Sequence, residues 1–341
     1  MQGGDDQRVL VVNAGSTSLK LNVVGDDESS VAIESLAAVP AGIDAVAHRV
    51  VHGGDLREPT LIDDEVEERL RRLVELAPLH NAPAVDAIVE ARSVLPDVPH
   101  VAVFDTAFHR TIPDVASTYA LPERWRREIR RYGFHGLSVE WASEQVEVRR
   151  LVVCHLGGGC SVTAVRDGRS VDTTMGFTPL EGVPMATRPG SVDPGALLYL
   201  LRHRVTPEAL DDQIEHHSGL LALSGTSGDV AELERSQDHA AAFALKLFAY
   251  RVAASVGAMA VALGGLDALV FTAGIGEHSA RVRREVCAHL RFLGVELDDA
   301  RNERAQPDAE IGRPGAVRVL VIRAREELVA ARAAKALLRD A

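Results

Sequence analysis

Lysine is almost missing from this chain of 341 residues: Lys20, Lys246 and Lys335 are its only lysines, and every other basic residue is arginine. That bias reads as a property of the coding sequence, without functional content. Cysteine is as scarce, and Cys154, Cys160 and Cys287 give neither a disulfide framework nor a zinc-ligand spacing, so a reducing, cytoplasmic setting is expected. Positive charge is in deficit, at a net −12, which argues against a nucleic-acid surface as the main function because that affinity is built on neutralising phosphates. A small anion, which needs only a local cluster of arginines, is not excluded. There is no GxxxxGK[ST] and so no P-loop, and no GxGxxG opening a βαβ unit, so no dinucleotide cofactor is expected. The longest uncharged apolar stretch, Val252 to Leu266, is 15 residues and falls short of the roughly 18 that would predict a membrane span. It reads as a buried helix running into a strand at Ala268–Phe271. The start, Met1 to Arg8, is acidic and lacks the basic-then-apolar order of a signal peptide.

What is present is an ordinary soluble composition, 46% hydrophobic and 25% charged, in a chain long enough for two domains. Residues Val9 to Val24 form a β-branched run, a small polar turn (Asn13 to Ser18) and an alternating run, which predicts a β-hairpin. Small side chains in such a turn let backbone N–H groups and hydroxyls close on an anion. The plan returns 142 residues later in Leu151 to Val165, where the turn is Gly157-Gly158-Gly159. Two glycine hairpins in separate halves predict a nucleotide phosphate chain held between two related domains.

Between and beyond the hairpins the chain reads as alternating strands and helices. Ala45–Val51 is a strand that carries His48 and Arg49; a charge there is either paired at a site or faces solvent on an edge strand, and local sequence does not choose. Asp63 to Ala77 predicts an exposed amphipathic helix, and Pro83 a second helix ending near Leu95-Pro96. Pro99–Phe104 is a strand that delivers Asp105 to His109 at its carboxyl end, where α/β sheets collect catalytic groups. The basic run Arg124 to Arg131 predicts a solvated helix face, and in Tyr132 to Gly136 the glycines leave room for something to approach His135. Val171 to Pro194, rich in Gly, Pro and Thr, predicts a long functional loop and contains Arg188. Helices dominate from Pro194 to Leu263. The strand at Ala268–Phe271 then leads through Thr272 to Ser279 into a helix, a third nucleotide-binding element. Val317–Ile322 is a strand, and Glu326 and Glu327 open a last helix, where they complement its dipole.

Taken together, NAGSTSLK (13–20), AHRVVHGG (47–54), ELAPLHNAPA (75–84), VAVFDTAFH (101–109), YGFHGLS (132–138), HLGGGCSV (155–162), DTTMGFTPLEG (172–182), ATRPGSVDP (186–194), SGLLALSG (218–225), FTAGIGEHSARVR (271–283) and VLVIRAREELVAAR (319–332) resemble the acetate kinase family. The resemblance runs in order through nearly the whole chain. It implies an α/β fold of two actin-like (ribonuclease H-like) domains, each a mixed sheet flanked by helices, around a central nucleotide cleft. Domain I would comprise residues 1–111 plus 328–341 and domain II residues 112–327. It also implies a homodimer, with no nucleic-acid or membrane partner, that transfers the ATP γ-phosphoryl to acetate with Mg2+, or Mn2+ in its place. By motif, Asn13 and Glu326 would organise the metal, partly through water, and Ser16, Ser18, His155, Gly157, Gly158 and Gly159 would line the phosphates. Arg49, Asp105, His135 and Arg188 would be catalytic, with Arg49 also on the substrate carboxylate. Val51, Leu79, Phe134 and Pro179 would form the acyl pocket, and Gly274, Ile275, Gly276 and Glu277 would meet the adenosine.

This sequence departs from the family pattern in three places. It is short between Val24 and Ala45, which implies a trimmed domain I. It has Gly158 where acetate kinases usually have Asn, a feature of butyrate kinase, which removes a side-chain amide from the phosphate turn. Its last motif reads RAREE (323–327) in place of PTNEE, which alters the approach to Glu326 and keeps the glutamate. Propionate and butyrate are the alternative substrates, and apolar pockets separate them by only roughly 1–3 kcal/mol per methylene. Two other classes make different predictions. A weak acyl-phosphate or nucleotide sensor would bind ATP without turnover, and a sugar-kinase or chaperone-like ATPase would show sugar- or peptide-stimulated hydrolysis.

Overall fold

The computed structural model describes residues 7–15 and 19–340, the side chains of Pro78, Leu79 and Asp340 excepted, and these residues divide into two compact units. The first contains the chain up to Arg110 together with Phe134–Trp141 and the segment from Arg325 onward; the second contains Thr111–Gly133 and Ala142–Ala324.

In the first unit, β1 (Val9–Ala14) and β2 (Leu19–Val24) form the expected hairpin, antiparallel with Val9 opposite Val24 and Ala14 opposite Leu19. To these are added β3 (Ser30–Ile33), β4 (Ala45–Val50), β5 (Thr60–Leu61) and β6 (His100–Phe104), in the order β3-β2-β1-β4-β6-β5. β1, β4 and β6 are mutually parallel, and their near-continuous apolar runs are those of strands covered on both faces. Leu10, Val12 and Ala14 meet Ala84, Ala87 and Ala91 of the helix Pro78–Val94, and the helix Glu326–Asp340 also packs along β1, β4 and β6.

The helix expected to open at Pro83 starts at Pro78, and Pro83 lies inside it. Pro78 occupies the first helical position, where a missing N–H costs nothing. The amphipathic helix is Asp64–Arg72, capped by Asp63, whose carboxylate accepts the Val66 N–H.

The second unit repeats this plan. β7 (Arg150–Leu156), β8 (Cys160–Arg166), β9 (Arg169–Thr173), β10 (Ala268–Thr272), β11 (Ala309–Glu310) and β12 (Arg318–Val321) lie in the order β9-β8-β7-β10-β12-β11. Here too a three-strand antiparallel meander is followed by two parallel strands and a short antiparallel edge. The repeat legible in the two hairpins therefore extends to both whole sheets. It escapes sequence comparison because β4 (AVAHRV) and β10 (ALVFT) share only a place in the topology.

Against β7 and β8 lies the helix His239–Leu263, capped by Asp238 and ended by Gly264 in the left-handed region. By length and composition alone it could cross a membrane, but half of its most apolar window is buried inside the unit. The basic run is helical only over Glu123–Arg126, and Arg131 is turned inward, with its side chain 16% exposed. The three cysteines are buried and free.

Candidate active site

β4 is a central strand between β1 and β6, so Arg49 does not sit on a solvated edge. Its guanidinium forks onto Asp105, Nε to Oδ1 at 3.1 Å and Nη2 to Oδ2 at 2.5 Å, and Nη1 donates to Asn13 Oδ1 at 3.0 Å. Asn13 Nδ2 donates to Glu326 Oε2 at 3.2 Å, and that same oxygen lies 3.6 Å from Arg49 Nε. The group arises because β1, β4 and β6 are parallel and end side by side: Asn13 is near the end of β1, Arg49 near the end of β4, and Asp105 directly follows β6. Glu326 is the first residue of the last helix.

Burial pushes the fully enclosed Asp105 carboxyl up, to about 6, with Arg49 opposing that rise. Arg49 moves the other way for a guanidinium. Burial would lower its pKa, but Asp105 and Glu326 outweigh burial and hold it above its ordinary value. The fork of two charge-assisted bonds between Arg49 and Asp105 favours the ionised pair at neutral pH.

Around this group the first unit supplies its remaining residues. The His135 backbone N–H donates to the Asp105 carboxylate, and His135 itself is held at φ 61°, in the left-handed region that side chains rarely occupy. The neighbouring glycine serves the backbone and not the imidazole: a Cβ on Gly136 would stand 2.1 Å from the Asp105 carbonyl oxygen, to which the Gly136 N–H donates at 2.9 Å. Phe134 is buried, its carbonyl takes His109 Nε2–H at 2.9 Å, and its ring meets His52 edge-on at 5.4 Å. Val51 is buried beside His52. Asn81, which sequence reasoning did not single out, is fully buried; it accepts the His52 N–H at 3.0 Å and returns Nδ2 to the His52 and Leu73 carbonyls. The only sequence signal for it was an amide inside an otherwise apolar helix start. Ser16, Ser18 and the side chain of Leu79 lie outside the described residues.

The second unit holds the other expected residues. His155 is buried near the end of β7. In the turn that follows, the Gly157 N–H donates to the Gly159 carbonyl at 3.0 Å, Cys160 Sγ donates to the Gly157 carbonyl at 3.3 Å, and the Gly158 carbonyl accepts the Ala186 N–H at 3.2 Å. A Cβ on Gly158 would meet nothing within 4 Å.

Arg188 is 7% exposed, and its Nη1 donates to the Pro179 carbonyl at 2.8 Å. Burial lowers the Arg188 guanidinium pKa, opposed by Glu215. Glu215, also missed from sequence, is buried with Oε2 lacking a hydrogen-bond partner, and burial pushes its carboxyl up. The segment bearing Arg188 rests on the start of the helix Gly219–Ser224: Leu220 N–H donates to Met185 O at 2.9 Å and Leu221 N–H to Ala186 O at 3.0 Å.

The expected glycine turn after β10 is already helical. Gly274, Ile275, Gly276 and Glu277 lie within the helix Ala273–His278, because Ala273 at φ 65° redirects the chain immediately after the strand. Arg283, 1% exposed, donates to the Gly276 and Glu277 carbonyls at 2.9 Å each, and Glu277 Oε1 accepts the Ala324 N–H at 2.9 Å.

No group of three or more His, Cys, Asp or Glu among the described residues is arranged to hold a metal ion. The expected oxygens are Asn13 Oδ1, which accepts from Arg49, and the Glu326 carboxylate, one oxygen of which accepts from Asn13 Nδ2. Such a donor set suits a hard ion that keeps most of its water, and a soft ion would not choose it.

Comparison with known proteins agrees with this architecture. The acetokinase family model matches residues 34–332. The acetate kinase of Nostoc punctiforme is 45% identical over 322 residues, covering 90% of this chain and 78% of that protein, and the acetate kinase of a Synechococcus strain is 47% identical over 318 residues, covering 89% and 79%. Among solved structures, a propionate kinase from Francisella tularensis superposes with a TM-score of 0.87 at 32% identity, covering 96% of this chain and 98% of that one. Acetate kinase from Entamoeba histolytica superposes at 0.88 and 31%, covering 98% and 100%. This chain belongs to the acetokinase family.

Proposed function

We propose that this protein catalyses reversible transfer of the ATP γ-phosphoryl to acetate, giving acetyl phosphate and ADP. One observation carries the reading beyond family membership. The buried carboxylate of Asp105 is committed to Arg49 through two bonds and so is poorly placed to take a proton from a hydroxyl acceptor. A carboxylate acceptor needs no such base, being ionised near neutral pH. Its oxygen attacks the γ-phosphorus while the bond to the ADP oxygen breaks, and the protein's contribution is positioning and positive charge on the transferring group.

In this reading Arg49, oriented by Asp105 and Asn13, and Arg188, oriented by the Pro179 carbonyl, hold the acetate carboxylate and the phosphoryl oxygens, and His135 donates a further hydrogen bond. Val51, Leu79, Phe134 and Pro179 bound the methyl group. Ser16, Ser18, His155 and the Gly157–Gly159 turn take the phosphates, and Gly274 to Glu277 the adenosine. Asn13 and Glu326 would hold Mg2+ through water, and the ion, when bound, neutralises phosphate charge. Residues 1–111 with 328–341, and residues 112–327, remain our proposed functional division of the chain.

We place the enzyme in the cytoplasm as a homodimer. Dimerisation is supported by the helix Pro194–His203, which buries none of its residues although Leu198, Tyr199 and Leu201 are 49%, 54% and 37% exposed. Propionate is the second reading, favoured by the likeness to the Francisella propionate kinase. The test is a panel of acetate, propionate and butyrate with ATP, GTP and pyrophosphate, with acyl phosphate trapped as the hydroxamate. Absence of acyl phosphate from every combination would sink the proposal.

A further inference from the structure

The loop between β9 and Arg188 is long and has no regular structure, yet its conformation is fixed by side chains from a distant stretch of the same unit. Arg131 Nη1 donates to three successive carbonyls of this loop, Thr173 at 2.9 Å, Thr174 at 2.9 Å and Met175 at 3.0 Å, and its Nη2 donates to Glu181 Oε1 at 2.9 Å. The other Glu181 oxygen accepts the Tyr119 hydroxyl in a short bond, and the Phe177 N–H donates back to that hydroxyl at 3.1 Å. The Arg131 guanidinium lies over the Tyr119 ring, 5.6 Å from its centre. Backbone bonds line the same seam, Arg131 N–H to Ser117 O at 2.8 Å and Tyr132 N–H to Gly176 O at 3.0 Å. Gly176 is required by this arrangement, since a Cβ there would stand 1.8 Å from Glu181 Oε2 and 2.1 Å from the Tyr119 oxygen. The loop so pinned presents the Pro179 carbonyl to Arg188 Nη1 at 2.8 Å.

We infer that Arg131, Glu181 and Tyr119 are positioning residues that set the acceptor side of the site, acting through Pro179 on Arg188. The inference rests on the carboxylate-kinase reading. Its physical basis is that the planar guanidinium serves three carbonyls and a carboxylate at once, which a lysine ammonium cannot do from one position. The side-chain hydrogen bonds of Arg131, Glu181 and Tyr119 run to one another and to residues 173–177, which are not among the nucleotide residues proposed above. Misplacement should therefore tell on the acceptor and spare the donor, because a shift of about 1 Å at a reacting group costs on the order of 100-fold. Here the Pro179 carbonyl and Arg188 would be the groups that shift.

The test compares wild type with Arg131→Lys and with the milder Tyr119→Phe, which removes only the hydroxyl that Glu181 and Phe177 share. In steady-state assays with acetate and ATP, Arg131→Lys is expected to raise the acetate KM at least tenfold and lower kcat, with the ATP KM within twofold; Tyr119→Phe is expected to do the same more weakly. Amide hydrogen exchange of residues 173–182 should accelerate in both variants, while exchange in β7 and β8 stays unchanged. Equal shifts in both KM values, or unchanged loop exchange, would overturn the inference. If wild type turns over no carboxylate, the functional reading fails by itself, and the exchange comparison still decides whether the network holds the loop.

Discussion

Arg49 Nη1 donates to Asn13 Oδ1 at 3.0 Å, although the two residues are 36 apart in sequence and come from different strands. The bond exists because β1 and β4 run parallel in register, Val12 beside His48, so the next residue of each strand reaches the same end of the sheet. Asn13 thus links the arginine to Glu326, its amide donating to one side while its carbonyl accepts on the other. Arg49→Lys keeps the charge but cannot fork onto Asp105 while reaching Asn13. We expect kcat/KM for acetate to fall by about 100-fold or more, the cost of misplacing a group at the reacting centre. Steady-state kinetics check this, with nucleotide binding by calorimetry expected to stay near the wild-type value.

Arg188 should behave differently on truncation because it is the more deeply buried of the two. Arg188→Ala removes a buried cation whose charge opposes the burial-driven rise of the Glu215 carboxyl, so the variant is expected to be less stable, with the Glu215 carboxyl pushed further up. Arg188→Lys separates stability from chemistry. We expect kcat to drop by about 10²–10³, the usual loss for one donor aimed at transition-state charge. A melting temperature within a few degrees of wild type should accompany that drop. A double variant Arg188→Ala, Glu215→Gln should recover stability in urea titrations but not activity.

How far the sequence could be read follows from which of these contacts are local. The two hairpins and the carboxyl-end placement of Asp105 come from strand periodicity and turn chemistry, and both are local signals. Arg49 could not be assigned to a site or a solvated edge from its own strand, because its neighbours β1 and β6 are contributed by segments far away in the chain. Arg131 departs from the solvated face that its own segment predicts for the same reason. Eight residues with five arginines look like a solvated face, and only the arrival of the 173–181 loop turns one of them inward. In sequence Gly136 reads as room beside the His135 ring, whereas its constraint is the carbonyl of Asp105, 31 residues earlier.

Beneath Arg49 the sheet carries a buried histidine pair whose titration should be visible in stability. His100 Nε2–H donates to the Leu95 carbonyl at 3.0 Å, so His100 Nδ1 accepts, and His48 Nε2–H donates to it at 2.9 Å. His48 Nδ1 is left buried without a partner. Burial, and to a lesser degree His100 and Arg92, lowers the His48 pKa from 6.5 to about 3. The unfolded chain therefore binds a proton here below 6.5 that the folded chain refuses until about 3. Stability is lost as pH falls through that window, by about 1.4 kcal/mol per pH unit for one group. Asp105, with its carboxyl pushed up, works in the opposite direction, so the informative quantity is a difference between proteins. Between pH 7 and pH 5, wild type should lose roughly 2 kcal/mol more than His48→Phe in urea unfolding. Equal losses would show that His48 is not the group responsible.

The exposed apolar face of the helix Pro194–His203 gives a prediction about assembly. Leu198 and Tyr199 are about half exposed, and the Tyr199 ring meets His203 of the same helix at 4.9 Å, so replacing them with charge should leave the fold intact. If a second copy covers this face, Leu198→Glu with Tyr199→Glu desolvates two carboxylates at an apolar contact and should convert a dimer into monomers. Sedimentation velocity at micromolar concentration reads the change directly. An unchanged sedimentation coefficient, in a variant with an unchanged melting temperature, would assign the interface elsewhere.

Gly158 is the position where the Gly157–Gly159 turn can be altered with least disturbance to its frame. Its carbonyl is used, accepting the Ala186 N–H, but its Cβ direction is open, with nothing within 4 Å, and its φ lies outside the left-handed region. An asparagine there meets no steric obstacle, and glycine to a larger residue at an unstrained position lowers the entropy of the unfolded chain. Gly158→Asn should therefore fold with stability within about 1 kcal/mol of wild type. If the turn holds the ATP phosphates, the added amide supplies one hydrogen bond to a charged oxygen, which contributes about 1.5–3 kcal/mol. The ATP KM should then fall about tenfold or more while the acetate KM is unchanged. An unchanged ATP KM in a stable variant would mean that the phosphates do not reach this turn, and the nucleotide assignment of Gly157 to Gly159 would have to be withdrawn.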